Sequence, residues 1–217
     1  MLFRSELDKI AYDYIISQGA KPNFLNYHGF PATACISINN EVIHGIPNSK
    51  RIINAGDIVS VDLGAAFEGY NGDNAATFAA GDISPEAKRL MQTTEESLYE
   101  GIKMAVASNR IGDISSAVQQ YVEARGYSVV RQFVGHGVGA SLHEDPEVPN
   151  FGKAGRGVRL LPGMTIAIEP MVNMGSPNVN VQPDGWTVLT ADGSLSAHFE
   201  HTVAITTKGP VIMTQCL

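Results

Sequence analysis

The chain repeats itself at a fixed spacing, and that repeat constrains its fold more than any single motif. Leu7 and Ile114, Gly19 and Gly126, Gly56 and Gly163, and Asp62 and Glu169 all stand 107 residues apart in a chain of 217. "AGDIVSVD" at 55–62 thereby falls on "PGMTIAIE" at 162–169. Each is a glycine turn leading into an apolar strand that delivers a carboxylate. "HGF" at His28 and "HGV" at His136 fall within one residue of the same register. A unit read twice predicts two pseudo-symmetric α/β halves, about 1–82 and 83–217, within a single domain spanning 1–217.

Hydrophobic spacing fills in the halves. A first helix is expected over Glu6–Ser17, with Leu7, Ile10, Ala11, Tyr14 and Ile15 on one face. Strands are expected at Ala34–Ile38, Val42–His44, Ile58–Leu63 and Ala75–Phe78. Ser84-Pro85-Glu86 combines an N-cap, an N1 proline and an early acid, and opens a long helix to about Val106. A further helix from Asp113 stops before Gly126, and strands return at Ser128–Phe133, Thr165–Glu169, Thr187–Leu189 and Phe199–Thr206. Moved back by the repeat offset, the helix over 84–106 falls before residue 1. The first half is therefore expected to lack its leading helix, leaving an apolar groove open.

The net charge of −7 and the absence of any basic run longer than Lys50-Arg51 argue against nucleic acid or anionic membranes as partners. Two cysteines, Cys35 and Cys216, form neither a disulfide framework nor a cysteine-type zinc site. The charged N-terminal stretch has no signal-peptide core, and a cytoplasmic protein is expected.

The chemistry sits on carboxylates placed where packing does not ask for them. Asp62 ends "IVSVD", Glu169 interrupts "TIAIEPMV", Glu200 enters the apolar strand of "SAHFEHTVAI", and Asp73 stands in "GYNGDNAATF". His136 lies between glycines in "VGHGVG". Four carboxylates converging in one core repel each other and cannot all ionise without compensation. Two divalent cations compensate them, and carboxylate with imidazole suits Mn, Fe, Co or Zn. Paired metals about 3.5–4 Å apart activate water near neutral pH, which makes metal-assisted hydrolysis the expected reaction class.

"HGIPNSKRIINAGDIVSVDLGAAFEGYNGDNAATF", "FVGHGVGASLHEDPEVPNFG", "LLPGMTIAIEPMVN" and "DGWTVLTADGSLSAHFEHTVAIT" resemble the bacterial type I methionine aminopeptidases of peptidase family M24. The resemblance implies an α+β pita-bread fold, two pseudo-symmetric halves around a central antiparallel sheet with a dimetal centre between them. It implies Asp62, Asp73, His136, Glu169 and Glu200 as ligands, with Asp73 and Glu200 bridging and Glu169 also moving the proton. It further implies that His44 contacts substrate near its second residue and that His143 hydrogen-bonds the scissile amide. Tyr27, Phe30, Cys35, Leu142 and Trp186 match the pocket for the methionine side chain. The implied substrate is the N-terminal methionine of nascent chains with a small second residue; transient ribosome contact is expected of an enzyme acting on such chains, and a monomer is expected.

The pattern usually carries Gln where this chain has His198, two residues before Glu200. Strand alternation puts both on one face, so His198 is expected just behind the metal ligands, while His201 points away. Three other readings compete: an X-Pro aminopeptidase, whose usual extra N-terminal domain this length does not accommodate; a metal-free binding module of the same fold; and an enzyme-like paralogue, catalytically poor for want of its first helix.

Overall fold

The computed structural model describes residues 2–215; Cys216 lies outside them. Helices α1 (Arg4–Ser17), α2 (Pro85–Met104) and α3 (Ile111–Glu123) pack on a curled nine-stranded antiparallel sheet. The strands that matter for the site are β1 (Ala34–Ile38), β2 (Ile58–Phe67), β3 (Tyr70–Ala79), β4 (Gly135–Gly137), β5 (Glu144–Val148), β6 (Thr165–Ile168) and β7 (Glu200–Thr206). Their spatial path runs β5-β4-β6-β7-β3-β2, with β1 on the far edge of β2.

The 107-residue offset recurs in the backbone. α1 and α3 each start beside a bridge at the same relative place, Phe3 with Ile52 and Arg110 with Arg159. Each start is capped by an acid at N3, Glu6 accepting from the Phe3 amide and Asp113 from the Arg110 amide, at 2.7 and 2.8 Å. Gly56 and Gly163 both sit at φ +97°, a left-handed turn open to glycine, and β2 and β6 start two residues later. The halves meet where β7 pairs with β3, Glu200 opposite Ala75.

Two threonines fasten that seam. Thr202 Oγ1 accepts from the Asp73 amide and donates to the Asp73 carbonyl, at 2.9 and 2.8 Å. Thr77 Oγ1 does the same for the amide and carbonyl of His198, at 2.9 and 2.8 Å. A hydroxyl can donate and accept at once, so each clasp satisfies two buried backbone groups that the short β3–β7 ladder leaves over.

Three expectations need correction. Asp73 was expected ahead of a strand beginning at Ala75, yet β3 begins at Tyr70 and Asp73 lies within it. Glu68 and Gly69, at φ +50° and +88°, close a two-residue hairpin between ten-residue strands, and Gly72, Asp73 and Asn74 are held by pairing rather than propensity. The strand expected over Ser128–Phe133 is only Ser128–Val129. The α1 face is split: Ile15 is buried and Leu7 and Ala11 are half-buried against the sheet, whereas Ile10 is 61% and Tyr14 66% exposed. Helix α1 touches the sheet along one edge, and no described element covers its other flank.

Candidate metal centre

The carboxylates arrive from different strands. Asp62 comes from β2 and Asp73 from β3, Glu169 follows β6, and Glu200 opens β7, all at the mid-sheet seam. His136 comes from β4, and its flanking glycines have a specific purpose. A Cβ on Gly135 would stand 2.3 Å from the Ala167 carbonyl oxygen, and one on Gly137 2.4 Å from that of Asp145. The close approach these glycines permit is therefore to the neighbouring strands, which seat the imidazole at the seam. His136 Nδ1 donates to the Gly137 carbonyl at 2.8 Å. That fixes the tautomer and leaves the Nε2 lone pair free, 3.9 Å from Asp73 Oδ2 and 3.6 Å from Glu169 Oε1.

These five side chains are brought together as expected. Asp73, His136 and Glu200 are buried, Asp62 and Glu169 keep some exposure, and all five line one pocket. Asp73, His136 and Glu200 offer ligand atoms within 4.8 Å of one another, and so do Glu169, His198 and Glu200. Burial pushes the carboxyls of Asp62, Asp73, Glu169 and Glu200 above the usual range, and the neighbouring Asp73 raises Asp62, Glu169 and Glu200 further. Burial lowers the His136 imidazole, favouring the neutral, ligating form.

The same atoms fit a cation by a separate criterion. Asp62 Oδ1, Asp73 Oδ1, Glu200 Oε1 and His198 Nε2 are buried without a hydrogen-bond partner in the protein. Leaving one such group unsatisfied costs about 1–3 kcal/mol, and more when charged, whereas divalent cations satisfy the carboxylates together. His198 is itself buried, its Nε2 3.7 Å from Glu169 Oε2. Burial, with a smaller contribution from His44, pushes this imidazole down to about 3, so it is neutral near pH 7. His201 instead pairs its Nδ1 with Thr214 Oγ1 at 2.9 Å.

The carboxylates line a cavity of about 150 Å³ whose other walls are apolar and aromatic. Tyr27, Phe30, Cys35, Leu142 and Trp186 all line it, with His44 and His143. His143 stacks on Tyr27, hydrogen-bonds its hydroxyl through Nδ1 at 2.8 Å, and lies with its ring 4.0 Å from that of His136. His44 stands edge-on to Trp186 and Phe133. Its φ of +57° is a left-handed conformation that histidine adopts more readily than bulky branched residues. Burial lowers His44 and His143 to about 4, so both meet a ligand as neutral hydrogen-bonding rings. Sequence reasoning missed Phe24 and His28, which line the same cavity. The available signal was the aromatic density of "NFLNYHGF", whose Asn26 and His28 take left-handed φ of 66° and 49° to turn the loop over the pocket.

The sequence pattern of metallopeptidase family M24 matches residues 3–207. The methionine aminopeptidase of Clostridium perfringens is 58% identical over 210 residues, 97% of this chain and 84% of that protein. Methionine aminopeptidase 1 of Bacillus subtilis is 52% identical with the same coverage. The crystal structure of methionine aminopeptidase from Thermotoga maritima superposes with a TM-score of 0.97 at 44% identity, over 99% of this chain and 86% of that one. The prolidase of Pyrococcus horikoshii, at 22% identity and a TM-score of 0.78, shares the fold alone, and this chain spans 55% of it. The pita-bread fold, the converging acids and these relatives agree: the chain belongs to metallopeptidase family M24, among the bacterial methionine aminopeptidases.

Proposed function

We propose that the chain removes the N-terminal methionine from nascent proteins and peptides with a small second residue. The observation that carries this reading is a single cavity with an apolar and aromatic wall and a floor of four carboxylates and an imidazole. Asp62, Asp73, His136, Glu169 and Glu200 would hold two divalent cations. Co, Mn, Fe and Zn all suit these donors. When bound, the cations supply an acidified water and polarise the scissile carbonyl.

The rest is work for the chain's own side chains. The methionine thioether enters among Tyr27, Phe30, Cys35, Leu142 and Trp186, which exclude water from it. His143, held by Tyr27, donates to the scissile amide region as charge develops there. His44 contacts the substrate on the side of its second residue. Glu169 takes the proton of the attacking water and returns it to the leaving amine.

Residues 1–217 work, in this reading, as one catalytic domain of two halves, about 1–82 and 83–217, in a monomer. It acts in the cytoplasm with transient contact to the ribosome, as a substrate on nascent chains requires. In keeping with this, no helix among the described residues is long and apolar enough to cross a membrane.

The test is metal content and cleavage of a Met-Ala-Ser peptide on one preparation, stripped and then reloaded with Mn or Co. Metal-dependent methionine release is expected. Two bound metals without cleavage would overturn the substrate assignment, and absence of metal binding would overturn the site.

A further inference from the structure

We infer that His198 is a positioning residue for Glu169: its Nε2–H donates to Glu169 Oε2 and reserves Oε1, which faces the His136 lone pair, for the cation. The inference rests on the proposed role of Glu169 as ligand and proton carrier, and it specifies which oxygen does what.

Glu169 stands between two imidazoles. Its Oε1 is 3.6 Å from His136 Nε2, and its Oε2 is 3.7 Å from His198 Nε2. The two rings cannot play the same part. The proton of His136 is committed at Nδ1 to the Gly137 carbonyl, so its Nε2 can only accept or ligate. The Nε2 of His198 is buried without a hydrogen-bond partner, and Glu169 Oε2 is the carboxylate oxygen nearest to it, at 3.7 Å. A proton on that nitrogen finds an acceptor after a small tilt of either group.

The backbone prevents His198 from swinging away. Its amide and carbonyl are both clasped by Thr77 Oγ1, and it registers opposite Met171. Glu169 is held at the other end, its carbonyl accepting from Asn150 Nδ2 at 2.9 Å. A carboxylate with one oxygen engaged by a fixed N–H is biased to ligate through the other oxygen. Without that N–H, Glu169 can rotate or chelate through both oxygens, which changes the cation's coordination and the lone pair left to accept a proton.

The competing arrangement is direct ligation, because the ligand atoms of Glu169, His198 and Glu200 lie within 4.8 Å of one another. The tautomer separates the two. Side-chain nitrogen NMR on the unmodified protein loaded with zinc should show His198 protonated at Nε2. A proton on Nδ1, with Nε2 shifted as a metal-bound nitrogen, would overturn the inference. Failure to bind zinc at all would overturn the underlying metal reading and this one with it.

A pair of variants gives a second readout. His198→Leu should weaken metal binding by about 10–100-fold by calorimetry and shift the visible spectrum of the cobalt-loaded protein, the usual scale for losing a partner of a ligand. His198→Gln restores an N–H donor and should recover most of the affinity and the spectrum. Equal damage in both variants, or none in His198→Leu, would overturn the assignment, with thermal melting of each confirming that it is folded.

Discussion

Helices α1 and α3 begin 107 residues apart, carry the same N3 acid cap and end on equivalent glycine turns, yet they live in different surroundings. Ile114 and Val118 of α3 are fully buried against α2, where Gly101 lets the two helices approach: a Cβ there would lie 2.8 Å from Val118 Cγ2. Their counterparts Leu7 and Ala11 are half-buried, and Tyr14 stands exposed where its equivalent Tyr121 donates to Glu96 of α2. Caps and turns are set by a few neighbouring residues and are copied with them. Burial depends on what packs from outside, and it is not copied.

The largest test of this comparison lies at the ends of the equivalent strands. Asp62 and Glu169 occupy matching positions, but only Glu169 is assigned a proton to move. Glu169→Gln should lower kcat on a Met-Ala-Ser peptide by about 10²–10⁴-fold, the usual contribution of a general acid–base group, equal to roughly 3–5 kcal/mol of barrier. Asp62→Asn should act mainly through metal affinity and recover activity at high metal concentration. If Asp62→Asn resists metal and Glu169→Gln responds to it, the roles are reversed.

Next come the packed faces. Ile114→Ala removes a fully buried side chain from the α2–α3 contact and should cost about 2–5 kcal/mol in urea denaturation. Leu7→Ala, at the matching but half-open position, should cost clearly less. Equal losses would mean that α1 is covered in solution as fully as α3.

The site was legible for the reason the α1 face was not. Asp62, Glu169 and Glu200 interrupt or end apolar runs, and a carboxylate in a core signals chemistry whatever lies around it. Asp73 was found as a residue, but the strand expected at Ala75–Phe78 stopped short of it, because Gly72-Asp73-Asn74 has poor strand propensity and is held by hairpin pairing with β2. His198 was placed behind the ligands by strand alternation, although Phe199 breaks the strand there and the Thr77 clasp sets its position. Spacing gave α1 one continuous apolar face. It could not show that only one edge of that face meets the sheet.

A glycine gives the third comparison. Gly112, near the start of α3, would place a Cβ 2.3 Å from the Lys153 carbonyl oxygen and 2.8 Å from that of Arg156, because that loop crosses the helix end. The matching position in α1 is Ser5, which the structure accommodates. Gly112→Ser should therefore lower stability by about 1–3 kcal/mol through overpacking against backbone that has little room to yield. Ser5→Gly should stay within about 1 kcal/mol, the ordinary glycine cost in a helix. A tolerated Gly112→Ser would show that the 153–156 loop can move off α3.

The smallest expected effect concerns the caps, the feature the two helices share most closely. Glu6 accepts a single amide, that of Phe3, at an exposed helix start. Asp113 accepts the Arg110 amide through one oxygen and the Gly155 amide, at 2.7 Å, through the other. Glu6→Ala should cost about 0.5–1.5 kcal/mol, one net hydrogen bond, and leave the rest of the fold undisturbed. Asp113→Ala loses the same cap and also frees the loop that Gly155 anchors. Its denaturation midpoint should fall further, with faster amide exchange around residues 153–157. Equal costs would mean that the second hydrogen bond contributes nothing, and that the loop is held on α3 by the Ile111 and Gly112 amides and the Arg110 guanidinium, which donate to the Val158, Arg156 and Gly157 carbonyls.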